Sequence, residues 1–175
     1  MKQIQDSDEP AQKMSRWGVG PVFVVLSILF SIVPLSISYY FFPFFKIKFI
    51  PQIVLTISGI IFILTGLTIF VISYFAVDRA YYQGKFVNHG VYRCCRHPLY
   101  ASWVVFTVPG IIMIVNSWLG FTAPVFMYFL LRKLVQKEET YMEQKFGEEY
   151  REYKRKIPCL LPFGFFRKKL KREKP

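Results

Sequence analysis

Two polar clusters lie at the ends of one uncharged segment, and their side chains are of types that bind ligands or transfer protons. The first cluster runs from Gly90 to Tyr100 and includes His97, and the second is the acidic pair Glu138 and Glu139. Imidazole, phenol and carboxylate groups form hydrogen bonds to polar ligands, and a well-placed His or Glu can act as a general base. Each residue alone also has a plain structural explanation, so the chemistry depends on whether the two clusters meet.

The uncharged segment between the clusters is long enough to bring them together. From Pro98 to Leu131 it has 34 residues, and a straight helix of that length would measure about 51 Å, against ~30 Å for a bilayer core. The sequence therefore predicts a helical hairpin with its turn at Asn116-Ser117 and spans at residues 97–115 and 118–134. Such a hairpin returns the acidic pair to the side of the membrane that holds the histidine.

The elements that must position these clusters are membrane helices. Hydrophobic residues make up 53% of the 175 and the mean hydropathy is +0.31, which excludes a disordered chain, a collagen-like fibre and a soluble enzyme. Two more uncharged runs, Trp17 to Phe45 and Phe49 to Val77, have 29 residues each, against the ~20 needed to cross a bilayer. We predict an all-α, polytopic membrane protein with about four transmembrane helices.

The positive charges predict the orientation of these helices. Lys and Arg number 23 against 11 Asp and Glu, for a formal charge of +12. Three of the cations precede the first run, four lie in the central loop, 14 follow residue 131, and the opposite side has only Lys46 and Lys48. The positive-inside rule then places both termini and the central loop in the cytoplasm, whether the membrane is a bacterial inner membrane or the endoplasmic reticulum. Basic segments in these places contact membrane lipids, so nucleic acid is not expected as a partner.

The remaining organisation follows from polarity. We expect a polar tail at residues 1–16, two transmembrane helices at 17–78, a core at 79–164 and a basic tail at 165–175. The core contains a cytoplasmic amphipathic helix between residues 137 and 156, with apolar side chains recurring every three or four positions: Met142, Phe146, Tyr150, Tyr153 and Ile157. Gly147 inside this helix costs ~1 kcal/mol relative to alanine unless another group packs close to its backbone. The three cysteines, two of them adjacent, indicate neither a disulfide framework nor a metal site.

The order of the motifs is more specific than any one of them. The chain reads Gly-Val-Tyr from Gly90, Arg-His-Pro-x-Tyr from Arg96, Glu-Glu after the apolar hairpin, and Phe-Gly-Glu-Glu-Tyr-x-x-Tyr from Phe146, followed by Ile157-Pro158 and Leu161-Pro162. This ordered set resembles the isoprenylcysteine carboxyl methyltransferase family and its bacterial relatives over roughly residues 84–164.

The resemblance implies an integral membrane methyltransferase that uses S-adenosylmethionine and acts on a lipid or prenylated acceptor. It also implies that the family's nucleotide-binding positions fall on eight residues here: Phe86, Val87, Tyr92, His97, Pro98, Leu99, Tyr100 and Glu138. Aromatic and aliphatic side chains can enclose an adenine, and a carboxylate can accept hydrogen bonds from ribose hydroxyls. A tyrosine ring can also stabilise a sulfonium by a cation–π interaction of ~0.5–2 kcal/mol.

The sequence departs from the family pattern at two places. Ser102 stands where glycine is common and is small enough to allow close helix packing. The prenylcysteine enzymes have an arginine four residues before the cofactor-binding Glu, where it is expected to meet the substrate carboxylate, but this chain has Leu134. Arg132 and Lys133 are near, although their helical directions differ from that of Leu134 by ~200° and ~100°. These three residues are the candidates for acceptor binding.

Three functions stay open at this point. The first is methylation, either of a prenylcysteine carboxylate, which is ionised at neutral pH, or of a phospholipid amine, for which His97 or Glu139 would have to remove a proton. The second is an NADPH-dependent membrane reductase, because sterol reductases have a related C-terminal architecture. The third is a non-enzymatic membrane protein whose motifs only pack helices.

Overall fold

Four long helices form the structure. The computed structural model describes residues 18–160, and its long helices are α1 (Gly20–Tyr40), α2 (Gln52–Tyr82), α3 (Pro98–Val115) and α4 (Thr122–Lys156). Three short helical turns lie between them, at Phe42–Phe45, Gly90–Arg93 and Leu119–Phe121. Within the described range the chain forms no β-strand, only an isolated bridge between Lys46 and Ser117. The predicted tails at 1–16 and 165–175 lie outside the described residues.

Three of the four helices are long and apolar enough to cross a membrane, namely α1, α2 and α3. Most Val, Ile, Leu and Phe side chains of α1 and α2 point outward, and an apolar surface of this extent is typical of a protein surrounded by lipid. The prediction of an all-α membrane protein is therefore confirmed. The predicted fourth span, 118–134, covers the short turn at Leu119–Phe121 and the first part of α4, whose uncharged stretch ends at Leu131.

The fourth helix joins two segments that the sequence analysis separated. We predicted a span ending at residue 134 and a distinct amphipathic helix from residue 137, whereas the helix continues through residues 134–137 and is interrupted at Gly147 instead. Its regular geometry is broken at Gly147, where φ is +58° and ψ is −132°, a conformation that glycine adopts far more easily than other residues. Nothing lies within 4 Å of the place where a Cβ would be. No packed neighbour therefore accounts for Gly147, and the glycine instead permits a kink.

The end of the molecule that holds the α3–α4 turn is fastened by hydrogen bonds. Asn116 adopts a left-handed backbone conformation (φ +59°) that ends α3, and its Oδ1 accepts a hydrogen bond from the Ile47 N–H at 3.0 Å. The Trp118 N–H donates to the Phe45 carbonyl at 3.0 Å. The turn thus lies at the Asn116-Ser117 position, and it is bonded to the loop that connects α1 to α2.

A glycine contact sets the distance between α2 and α3. A Cβ on Gly59 would lie 2.6 Å from the Gly110 carbonyl oxygen, and a Cβ on Gly110 would lie 2.7 Å from the Gly59 carbonyl oxygen. Further along the same pair of helices, a Cβ on Gly66 would lie 2.4 Å from Thr107 Oγ1. Small residues let membrane helices approach closely, so these two helices meet backbone against backbone.

The N-terminal half of α3 contains an irregular turn. Ser102–Thr107 is a π-helical turn between the α-helical segments Pro98–Ala101 and Val108–Val115. Ser102 is fully buried and donates to the Leu99 carbonyl at 2.7 Å, and Thr107 Oγ1 donates to the Ser102 carbonyl at 3.2 Å. Turns of this kind are rare and frequently lie at functional sites.

Candidate functional site

The return of α4 alongside α3 brings the two polar clusters into contact. The Tyr100 hydroxyl donates a hydrogen bond to Glu138 Oε1 at 2.8 Å. The His97 ring lies between the two acids, with Nε2 3.3 Å from Glu139 Oε1 and Nδ1 3.6 Å from Glu138 Oε2. Both carboxylates are buried. Residues about forty positions apart in the sequence therefore form one group, the acid cluster: His97, Tyr100, Glu138 and Glu139.

Helical geometry explains how each side chain reaches this cluster. His97 precedes the first residue of α3, and Tyr100 lies three positions later on the same face. Glu138 and Glu139 are neighbours on α4, so their side chains leave the helix about 100° apart. Glu138 therefore points to Tyr100, while Glu139 points to the loop that precedes α3.

Arg96 is the principal partner of Glu139, a role that the sequence analysis did not assign. Its Nε and Nη2 lie 2.9 and 2.6 Å from Glu139 Oε1, and its Nη1 donates to the carbonyls of Lys154 and Ile157 at 2.9 and 2.6 Å. Carbonyls at the end of a helix lack intrahelical donors, and the planar guanidinium supplies them here. One side chain thus ties the acid cluster to the end of α4.

The segment that follows α4 runs beside the start of α3. The Arg96 N–H donates to the Pro158 carbonyl at 2.9 Å, and the His97 N–H donates to the Cys159 carbonyl at 3.1 Å. Leu160 is buried against the core formed by α1, α3 and α4. The segment after α4 therefore holds the backbone of Arg96 and His97 in place by hydrogen bonds.

The charges around Glu139 keep it ionised. Burial raises the pKa of this carboxyl, but hydrogen bonds from His97, Arg96 and Lys154 outweigh that effect and lower the pKa to about 2. The Lys154 ammonium lies 3.0 Å from Oε2. A carboxylate with so low a pKa is a weak proton acceptor at neutral pH. Of the two bases considered from the sequence, the geometry disfavours Glu139.

The chain just before α1 lies directly on Glu138, which the sequence analysis did not foresee. The Val19 N–H donates to Glu138 Oε1 at 2.7 Å. Gly18 has a φ of +53°, and a Cβ at this position would lie 2.0 Å from the same oxygen. The glycine therefore allows the backbone to approach the carboxylate, and this end of α1 forms one side of the site.

A set of metal-ligating residue types also meets at the acid cluster. Ligand atoms of His97, Glu139 and Cys159 lie within 4.8 Å of one another, an arrangement not apparent from cysteine spacing. Glu139, however, already binds Arg96 through Oε1 and Lys154 through Oε2. Two cations that hold both oxygens oppose the entry of a third, so we assign no metal to this group.

The other residues expected to bind a nucleotide form a second group, the aromatic group, around Phe86. The Phe86 ring centroid lies 5.2 Å from that of Phe146 and 5.5 Å from those of Tyr150 and Tyr153. Three members of the predicted amphipathic stripe therefore contact one residue of the central loop. The rings meet in tilted and edge-to-face arrangements, which are favourable for aromatic pairs.

Tyr92 connects the aromatic group to α2. Its ring is buried with Val87 and Ala80, and its carbonyl accepts a 2.7 Å hydrogen bond from the Tyr153 hydroxyl. Burial, followed by the nearby Tyr153, raises the pKa of the Tyr92 phenol, so the phenol is neutral at physiological pH. Pro98 is buried and Leu99 half-buried at the start of α3.

An open cavity of about 950 Å³ borders the aromatic group. Its wall includes Phe86, Val91 and Phe146, together with the last turns of α2 and the loop that follows. His97, Tyr100 and Glu138 do not line it. Of the eight predicted positions, His97, Tyr100 and Glu138 belong to the acid cluster, Phe86 is the one that lines the cavity, and Val87, Tyr92 and Pro98 are buried.

The candidates for acceptor binding on α4 are not gathered at the site. Arg132 and Lys133 are exposed, whereas Leu134 is half-buried against the apolar core beside Phe23 and Val135. The helical directions worked out from the sequence led us to expect this divergence.

A comparison of the sequence with protein families decides the wider relationship. Residues 53–144, more than half of the chain, match the model of the isoprenylcysteine carboxyl methyltransferase (ICMT) family. The chain belongs to the ICMT family. The matched residues begin in α2 and end in α4 after the acidic pair, so the family region contains both the acid cluster and Phe86.

Individual relatives agree with this assignment. Over 95 residues, 52% of this chain and 49% of the relative, it is 38% identical to a probable protein-S-isoprenylcysteine O-methyltransferase of Oryza sativa subsp. indica. Over 77 residues, 44% of this chain and 27% of the relative, it is 35% identical to the protein-S-isoprenylcysteine O-methyltransferase of Mus musculus. The similarity thus spans about half the length of the rice protein and less of the mouse protein. No solved structure matches the chain.

Proposed function

We propose that this chain is an integral membrane methyltransferase that transfers a methyl group from S-adenosylmethionine to a lipid-linked acceptor such as a prenylcysteine carboxylate. The observation that carries the proposal is the 2.8 Å hydrogen bond from Tyr100 to Glu138 Oε1. It joins two family motifs that lie on different helices and far apart in sequence. Glu138 is buried with no Lys or Arg partner among residues 18–160. Burying an acid without such a partner costs several kcal/mol, so helix packing alone does not explain the cluster.

The residues at the site fit this donor. Glu138 uses Oε1 for two hydrogen bonds. Among residues 18–160, Oε2 has the His97 Nδ1 contact at 3.6 Å but no hydrogen bond, so it can accept one from a ribose hydroxyl or an amino group. Phe86, which lines the open cavity, offers an apolar face of the kind that an adenine ring requires, while Val87 and Tyr92 are buried together and do not line that cavity. These features support Glu138 and the Phe86 side as the two ends of a donor site.

The proposed chemistry makes few demands on the protein. When bound, the donor supplies an activated methyl group. A carboxylate acceptor is ionised at neutral pH, so no proton has to be removed from it. The chain has to hold the donor and acceptor in line and exclude water. Arg96 contributes by fixing Glu139 and the backbone before α3, which in turn positions His97 and Tyr100.

The same proposal includes four membrane crossings with both termini in the cytoplasm. From Thr122 to Glu138, α4 rises by about 24 Å, which approaches the ~30 Å thickness of a hydrocarbon core. Lys46 lies beside Ser117 at the end opposite the acid cluster. Lys46 and Lys48 are the only cations of the loop between the first two uncharged runs, and a small number of cations is what the positive-inside rule predicts for the outer side. An acceptor held in the membrane by its apolar tail could then meet a soluble donor at the cytoplasmic surface.

Titration with cofactors tests the proposal and its rivals. Purified protein in detergent micelles should bind S-adenosylmethionine saturably, and Glu138→Gln should weaken that binding at least tenfold because hydrogen bonds to a charged group contribute about 1.5–3 kcal/mol. Glu152→Gln is the matched control, since Glu152 is an exposed acid on the same helix. Binding of NADPH alone would favour a reductase, and binding of neither cofactor would leave a non-enzymatic membrane protein.

A methyl-transfer assay then identifies the acceptor class. Labelled methyl groups should appear on an N-acylated S-prenylcysteine as a base-labile ester. Transfer to phosphatidylethanolamine instead would favour the amine chemistry. His97 would then be the proton acceptor, because the lowered pKa of Glu139 makes that carboxylate a weak base. His97→Ala should then abolish transfer at neutral pH.

A further inference from the structure

We propose, on the basis of the function above, that the open cavity beside Phe86 is the docking site of the acceptor. Arg79 and Lys85 bind its carboxylate, and the adjoining face of α2 holds its apolar tail. No comparison assigns this site. It deepens the proposed function by naming the ligand as an anionic amphiphile and the residues that select it.

The shape of the cavity fits a molecule with one apolar and one charged end. Val71, Phe75 and Arg79 lie four residues apart on one face of α2, and all three line the cavity. Eight residues of helix separate Val71 from Arg79, so the apolar strip extends about 12 Å before it reaches the guanidinium. Val71 and Phe75 belong to a helix able to span the membrane, so the strip starts where a lipid tail resides.

The charges at the other end of the cavity are mostly positive. Arg79 and Lys85 are exposed in its wall, and neither has an ion-pair partner within 4 Å among residues 18–160. His89 also lines the cavity, and Glu149 is the one acid that does so. Two unpaired cations next to an apolar strip complement a carboxylate that is attached to an apolar tail.

The position of the cavity also suits the proposed reaction. Phe86, which the resemblance places in the donor site, lines the same cavity. An acceptor bound there would therefore lie next to the donor rather than elsewhere on the surface. Arg132 and Lys133, the nearest cations to the family's arginine position, are exposed on α4 and do not line this cavity.

Binding measurements on two matched amphiphiles test the site without requiring turnover. One probe is an N-acylated S-farnesylcysteine, and the other is its carboxamide, which has the same tail but no charge. Wild-type protein in neutral micelles should bind the acid about tenfold more tightly. Arg79→Gln should remove most of this preference, and Arg79→Gln with Lys85→Gln should remove it. Arg93→Gln is the control, because Arg93 is an exposed cation of the same loop that does not line the cavity.

Kinetics provide the second measurement. Arg79→Gln should raise KM for the prenylcysteine about tenfold, with KM for S-adenosylmethionine unchanged, and Arg79→Lys should restore part of the loss. A larger KM for the donor would mean that the cavity belongs to the donor. Equal binding of acid and carboxamide by the wild type would also overturn the assignment, as would equal effects of Arg79→Gln and Arg93→Gln.

These outcomes separate the docking site from the proposed function. If wild-type protein transfers no methyl group to any acceptor, the function fails, and the binding comparison still decides whether the cavity selects an anionic amphiphile. If transfer occurs and Arg79 is without effect, the function stands and the docking site is wrong. Tighter binding of phosphatidylethanolamine vesicles than of the acid probe would likewise contradict the site.

Discussion

Replacing Gly18 by alanine should weaken donor binding, although Gly18 is remote in sequence from every family motif. The added Cβ would lie 2.0 Å from Glu138 Oε1, where ordinary contacts begin at 3.4 Å. Either the carboxylate or the backbone must therefore move by more than 1 Å. Alanine at a φ of +53° also costs about 1–2 kcal/mol, and this cost favours a change in the backbone at residue 18.

The size of the effect follows from the hydrogen bonds that Glu138 would lose. Its Oε1 accepts from the Val19 N–H at 2.7 Å and from the Tyr100 hydroxyl at 2.8 Å. Withdrawal of the backbone breaks only the first bond, while movement of the carboxylate breaks both, so withdrawal is the smaller loss. One hydrogen bond to a charged group contributes about 1.5–3 kcal/mol. We expect the affinity for S-adenosylmethionine to fall about tenfold, the effect of ~1.4 kcal/mol.

Gly20→Ala is the matched control for this prediction. A Cβ on Gly20 would lie 3.7 Å from the Tyr100 hydroxyl oxygen, an ordinary contact, so donor affinity should match that of the wild type. Calorimetric titration with S-adenosylmethionine and thermal unfolding in the same micelles would measure both effects. If Gly18→Ala binds as tightly as Gly20→Ala while Glu138→Gln binds weakly, the N-terminal end of α1 does not orient the acid, and the reasoning is refuted.

Four further predictions concern stability and reactivity. Arg96→Met should lower the free energy of unfolding by about 3–5 kcal/mol because it leaves Glu139 buried without its main partner, and adding Glu139→Gln should recover part of that loss in thermal unfolding. Since the pKa of Glu139 falls from 4.5 to about 2 on folding, its stabilisation is complete above pH 4.5 and disappears as the pH falls toward 2; an unchanged acid limb of the melting profile in Glu139→Gln would contradict this. Gly110→Ala should destabilise the fold by about 1–3 kcal/mol from overpacking, which exceeds the ~1 kcal/mol gain in helix propensity, and a raised melting temperature would disprove the contact. At pH 8 an alkylating reagent should modify exposed Cys94 and spare Cys95, whose burial raises its thiol pKa to about 12, and equal labelling would show that Cys95 is accessible.

Much of the architecture is written in local features of the sequence. The lengths and positions of the uncharged runs predict where α1, α2 and α3 lie, because the bilayer sets the length of a helix that crosses it. The excess length of the third run together with polar Asn116 indicates the turn, since an uncharged run of that length exceeds one crossing. The return of Glu138 to the level of Tyr100 then follows from helix rise, whereas their contact also depends on the direction in which each side chain points.

Other features depend on contacts that no local pattern encodes. The continuity of α4 through residues 134–137 could not be predicted, because the change from apolar to amphipathic periodicity looks the same whether or not the helix breaks. The role of Gly147 required its backbone angles, since glycine serves both close packing and positive φ. Arg96 was ambiguous because a cation at a membrane boundary commonly reaches for the interface. The available signal was that the predicted hairpin returns an acidic pair to the level of Arg96, whose guanidinium can donate several hydrogen bonds to a carboxylate.

The irregular turn of α3 determines which way Tyr100 points. Ser102–Thr107 lies between the glycine contact at Gly110 and the first turn of the helix, and each residue of an α-helix advances by about 100° around its axis. Deleting a single residue from this turn would leave the glycine contact in place and swing the phenol a quarter of a circle or more away from Glu138. The number of residues between Gly110 and Tyr100 is thus as important to the site as the chemistry of the side chains, because it sets whether the phenol can reach Glu138.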